Sequence, residues 1–249
     1  MKMKQNTNYN QYQLINKKQN WFVGKVSLFA SFLFAIIFAI SFVISKYAFI
    51  NNVDYNYLIL IGSIALIVTL VFSLIMSFKG LKASFGLIIT TILLYSLSFI
   101  IMFSAYFSLI NNAILFFALA FTALSTFIIG IISFIIPSKV AYSILKFSMI
   151  SFVVYIFVSI VGSLIIWFTT TVNLEIWEIF LTSFLGLIII LSSIMSFYNL
   201  RKTTEFINIT NIDKTSYNKL MLFQTFNILS SIIIIFIFVL RILGIINRN

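Results

Sequence analysis

After a polar stretch, 1–20, the chain carries seven apolar runs divided by polar breaks: Val26 to Ser45, Tyr57 to Ser77, Ala83 to Phe103, Ala113 to Ile136, Phe147 to Phe168, Ile179 to Tyr198 and Leu220 to Leu243. None alternates in polarity, which excludes barrel strands. As a helix, each crosses a hydrocarbon core of about 30 Å at about 1.5 Å per residue. The pattern predicts an all-α membrane protein, a seven-transmembrane-helix bundle forming a single domain over 21–249. Residues 1–20, rich in Asn, Gln and Lys, bury too little apolar surface to fold alone and are expected as a disordered cytoplasmic tail. The breaks are short apart from Asn199 to Lys219, so neighbouring helices are expected to pack antiparallel. The first run is too long for a signal-peptide core and is expected to remain as an anchor.

Composition agrees: 62% of the 249 residues are hydrophobic and 8% charged, where ordinary soluble domains are about a quarter charged. The absence of Cys and His removes disulfides, thiolate nucleophiles, imidazole bases and nearly every zinc or haem site. The formal charge of +11 lacks the basic run interleaved with aromatics that nucleic acid would need, so the expected partner is the anionic face of a lipid bilayer rather than nucleic acid. Abundant Asn, Lys, Ile and Phe suggest an AT-rich bacterial genome, and the expected location is the cell membrane.

The placement of Lys and Arg adds a topology. Lys2, Lys4, Lys17, Lys18, Lys25, Lys79, Lys82, Lys139, Lys146, Arg201, Lys202, Lys214 and Lys219 fall on one side of the seven-span map, and Lys46, Arg241 and Arg248 on the other, thirteen against three. The N-terminus is therefore expected in the cytoplasm and the C-terminus outside.

Small residues recur every four positions at Ser27, Ser31, Ala35 and Ala39 in the first run and at Ala118, Thr122, Thr126 and Gly130 in the fourth; Ser159, Gly162 and Ser163 mark the fifth. Membrane helices associate by close packing, so these are expected packing faces. Trp21, Trp167 and Trp177 stand at run ends, where indoles favour the interface.

Catalytic chemistry has no foothold. The five acids, Asp54, Glu175, Glu178, Glu205 and Asp213, all stand at or beyond run ends, leaving no paired intramembrane carboxylates for metal or proton work. No Gly-rich phosphate loop occurs, and no lysine at membrane depth can serve a serine nucleophile. The chain is expected not to be an enzyme and to carry no cofactor. The sequon at Asn208 falls in a predicted cytoplasmic break and reads as chance.

The C-terminal third is the most specific. The sixth run closes in Ser196-Phe197-Tyr198-Asn199-Leu200-Arg201-Lys202; the seventh opens with Lys219-Leu220 and ends in Leu240-Arg241-Ile242-Leu243-Gly244. This resembles the Bax inhibitor-1 family of membrane proteins, whose sixth helix typically closes with a Tyr-Asp pair and a Lys three residues on. Its last helix typically opens with Lys-Leu, carries an Asp twelve residues after that Lys, and reaches an Arg ten residues later, before a Gly. Tyr198, Asn199 and Lys202, then Lys219, Leu220, Ser231, Arg241 and Gly244, fit that frame without a gap. Weaker echoes are Gly24-Lys25-Val26 and Ala123-Leu124-Ser125.

The resemblance implies seven helices and a passive calcium or cation leak gated by two aspartates. Here Asn199 and Ser231 stand at the aspartate positions, so the pH sensor that the family would supply is degenerate. Gln224, Asn227 and Ser231 share one helical face and form either an interhelical hydrogen-bond seam or a hydrated lining. Arg241 either snorkels to the interface or lines a pore. Three functions stand open: a cation leak; a non-transporting modulator of another membrane protein, such as a quality-control protease; and a membrane subunit that binds a vitamin or other small molecule for uptake. The candidate pore or seam residues are Asn199, Gln224, Asn227, Ser231 and Arg241.

Overall fold

The computed structural model describes the backbone of residues 2–50, 57, 60–64, 67–68, 71–72, 75, 79, 83–168, 174–210 and 212–246, with side chains over a narrower set. Among the described residues six continuous helices follow in order: α1 Lys2–Ile50, α2 Phe85–Leu109, α3 Asn112–Ile135, α4 Ser138–Phe168, α5 Leu174–Ile209 and α6 Lys214–Ile246. Each is long and apolar enough to cross a membrane, over Trp21–Tyr47, Phe85–Leu109, Asn112–Ile135, Ser138–Ser163, Trp177–Ile207 and Lys214–Gly244. The chain is a multi-pass, all-helical membrane protein. The second expected run, Tyr57 to Ser77, is helical wherever it is described, at 57, 60–64, 67–68, 71–72 and 75. Its other positions lie outside the described residues.

The breaks between helices have local causes. Ser84 caps α2 by accepting from the Leu87 N–H at 3.2 Å. Asn111 accepts from the Ala113 N–H at the start of α3. Pro137 cannot donate to the preceding turn and separates α3 from α4, whose first turn bonds back to the Pro137 carbonyl from Val140 and Ala141.

Two expectations about the breaks change. The stretch 1–20, expected as a disordered tail, has a backbone continuous with α1 from Lys2; extending a helix already nucleated by an apolar span avoids the cost of a new nucleus. The long break expected from Asn199 to Lys219 shrinks to residues 210–213. α5 runs on to Ile209 because Arg201 and Lys202 both reach Glu205, at 3.0 and 2.7 Å, and Thr204 bonds the Leu200 carbonyl. α6 begins early because Asp213 accepts from the backbone N–H groups of Thr215 and Ser216. A hydropathy profile loses the helix where it turns polar, but the backbone does not.

The chain divides into two compact units, Met1–Leu115 with Leu200–Leu229, and Phe116–Asn199 with Ser230–Asn249. In the first, α1 packs on α2, and α1 buries Phe22, Val26, Ala30, Phe34, Ile37 and Phe38, spaced at three and four along the helix. Ser31, Ala35 and Ala39 are exposed and Ser27 half-buried, so the small-residue stripe expected to pack does not. Large aromatics fill the interface instead. Phe38 meets Phe107, and rings pass the contact along Phe103, Phe99 and Tyr95 to Phe226 of α6, at centroid separations between 4.7 and 5.5 Å. Ala83, Ile88 and Ile92 complete that core around Phe226.

The second unit packs through missing side chains. A Cβ on Gly186 would fall 2.1 Å from Phe238 Cζ, and one on Gly162 would fall 1.9 Å from Trp177 Cζ2. Gly130 faces the Phe197 ring, and Ala118 and Thr122 are buried, so the α3 stripe packs as expected. So does Gly162. Trp177, expected only as an interface anchor, covers it. Ala141, Met195 and Tyr198 form a further small core with Ile136 and Ile144.

Candidate functional site

The hydroxyls within the helices mostly bond to their own backbone. Thr91, Ser98, Ser104, Thr122, Ser133 and Thr225 each donate to the carbonyl four residues back, at 2.6 to 2.8 Å, as expected where no water competes. Ser41 extends the pattern by donating to the Ile37 carbonyl at 2.6 Å while lying 3.2 Å from that of Ile100 on α2.

Gln224 departs from this pattern. Its side chain is 4% exposed. Its Nε2 donates to Thr203 Oγ1 of α5 at 2.7 Å, a bond between the last two helices. Its Oε1 is buried with no partner. An acceptor stranded in this way costs about 1–3 kcal/mol, so the bond to Thr203 is made at the expense of the other half of the amide. Asn227, half-buried, and Ser231, buried, follow on the same face of α6. Asn199 is an exposed residue of α5. The two positions where the resembling family keeps aspartates thus differ in environment as well as lacking charge.

Arg241 has a partner that reading the runs separately misses. Its Nη2 lies 3.8 Å from Glu178 Oε1, with both side chains about two-fifths exposed. The signal was available: in an antiparallel hairpin, the start of the sixth run and the end of the seventh reach the same membrane level. So open a pair is weak, about 0–1 kcal/mol. Lys46, on the same side of the predicted map, donates to Asn112 Oδ1 at 2.9 Å.

The remaining acids serve helix ends. Glu205 pairs with Arg201 and Lys202. Asp213 is held below the usual carboxylate range by hydrogen bonds from the Ser216 hydroxyl and backbone and from the Thr215 backbone. Asp54 and the Glu175 side chain lie outside the described residues, as does the Trp167 side chain. Among the described residues no three or more acids gather as metal ligands. Of the five candidate residues, Gln224 is brought onto Thr203 and Arg241 onto Glu178. No family model matches the chain, and neither a curated protein nor a solved structure matches it.

Proposed function

We propose that the chain is a Bax inhibitor-1-like protein of a bacterial cell membrane, with seven spans, a cytoplasmic N-terminus and an external C-terminus. In this reading it does not conduct ions but modulates another membrane protein. The observation that carries the choice is the Gln224 to Thr203 bond, which favours a stitched seam over a hydrated lining. Neutral Asn199 and Ser231 add to it, since without countercharge a divalent ion would lose its water at heavy cost. The polar ends of α5 and α6 are the docking surface in this reading, a helical pair in place of the loop that the hydropathy profile suggested.

In liposomes the purified protein should pass neither calcium nor protons at any pH; flux of either ion, with or without pH dependence, overturns the proposal. Reporter fusions after Asn112 and Asn249 should both report outside, and a cytoplasmic C-terminus would remove the seventh span. A cation leak is the second reading, favoured by the unpartnered Gln224 Oε1, an oxygen that a passing cation or water would satisfy. Gln224→Leu should abolish any flux if that reading holds.

A further inference from the structure

In the first unit α1 and α6 begin their apolar spans side by side, at Trp21 and Lys214. The Phe22 and Tyr217 rings meet edge-on there, with centroids 5.4 Å apart, and Phe22 is buried. This contact holds Tyr217 beside Lys25, whose Nζ lies 5.0 Å from the Trp21 ring centroid and 5.9 Å from that of Tyr217. Lys25 is exposed, and among the described residues no carboxylate pairs with it: the described ion pairs belong to Arg201, Lys202 and Arg241. Lys214, also exposed, precedes Tyr217 by three residues and so stands one turn from it on α6. A Cβ on Gly24 would meet nothing within 4 Å, so the backbone beside Lys25 is open to approach.

One and two turns deeper along α1, Leu28, Phe29 and Phe32 are exposed at 69%, 44% and 58%. They follow Lys25 at spacings of three, four and seven, on its own face. Polar head and apolar stripe therefore run in the order of a phospholipid, phosphate level first and acyl chain below.

We propose that this patch binds an anionic phospholipid, with its phosphate on Lys25 and Lys214 and an acyl chain along Leu28, Phe29 and Phe32. The aromatic faces decide against a choline headgroup. A quaternary ammonium binds by lying over Trp or Tyr rings, and here those faces are already covered by Lys25, whose charge would repel it. The inference rests on the two spans alone and stands whether or not the protein conducts ions.

The test is thermal unfolding of the full chain in a neutral detergent with phosphatidylglycerol, phosphatidylcholine or inorganic phosphate added. Phosphatidylglycerol at about a hundredfold excess over its Kd should raise the midpoint by about 5 °C or more, and the other two should not. The shift should fall to near zero in Lys25→Gln with Lys214→Gln, persist in Lys25→Arg, and persist in Lys139→Gln with Lys146→Gln. If the double variant does not fold, retention of phosphatidylglycerol by Lys25→Gln in native mass spectrometry replaces it, with at least a fivefold loss expected. Equal stabilisation by phosphatidylcholine, a shift with phosphate alone, or retention unchanged in the Lys25 variants would each overturn the site.

Discussion

The two units join their helices by different mixtures of the same means. In the first, side chains reach across: Gln224 bonds Thr203, Ser41 approaches the Ile100 carbonyl, Lys46 bonds Asn112, and rings run from Phe38 to Phe226. In the second, glycines admit the rings of Phe238 and Trp177, beside a ring contact of Tyr155 with Phe184 and the open pair of Arg241 with Glu178. Lipid tails are as apolar as leucine, so neither unit gains from burying aliphatic surface as a soluble core would. Both draw on the remaining routes, the first leaning on polar bonds and ring contacts that reach across and the second on close approach at glycines.

Substitutions can set these routes against each other. The largest effect is expected in the second unit: Gly186→Ala and Gly162→Ala force a ring to swing, at about 1–3 kcal/mol, offset by up to about 1 kcal/mol of helix propensity. Gly62→Ala in the first unit should cost less, because the nearest atoms, Met102 Cγ at 2.8 Å and the Met102 backbone N at 3.3 Å, overlap an added Cβ less than the two rings do. Reversible unfolding in mixed micelles measures all three; if Gly62→Ala is the most damaging, the contrast between the units is wrong.

Next comes the polar bond. A double-mutant cycle on Gln224→Leu and Thr203→Val should give a coupling of about 0.6 kcal/mol, with a ceiling of about 1.7. No coupling would mean that the first unit does not depend on that bond. A smaller effect is expected for Glu178→Gln, below about 1 kcal/mol and erased by high salt, since the pair with Arg241 is two-fifths exposed.

The smallest concerns Asp213, which lies wholly at the surface. Its carboxyl titrates below the ordinary range, so the charged form favours the fold. That contribution is complete above the ordinary carboxylate value and is lost as pH falls through the lowered one. Asp213→Asn should unfold slightly earlier than the parent at neutral pH, and the difference should shrink on acidification.

Much of this was legible in the residues. Long apolar runs located all six described spans, because a helix is the one open way to satisfy a backbone in lipid. The α3 stripe packed as its four-residue spacing implies. The stripe on α1 did not, because spacing identifies a face that allows close approach without showing whether a neighbour takes it; Phe38, on another face of the helix, meets Phe107 of the neighbour instead. The extensions of α5 and α6 were hidden because their last and first turns are held by Glu205 and Asp213, charged residues that hydropathy counts as breaks. Of the candidate site, the shared face of Gln224, Asn227 and Ser231 followed from spacing. Thr203 and Glu178, the partners of Gln224 and Arg241, needed the hairpin register.

That register has a mechanical meaning. With only residues 210–213 between α5 and α6, neither long rod can ratchet a turn past the other without unwinding Asp213's cap or the Glu205 turn. A pull on that short connection would therefore be felt first by the Asp213 cap and the Glu205 turn.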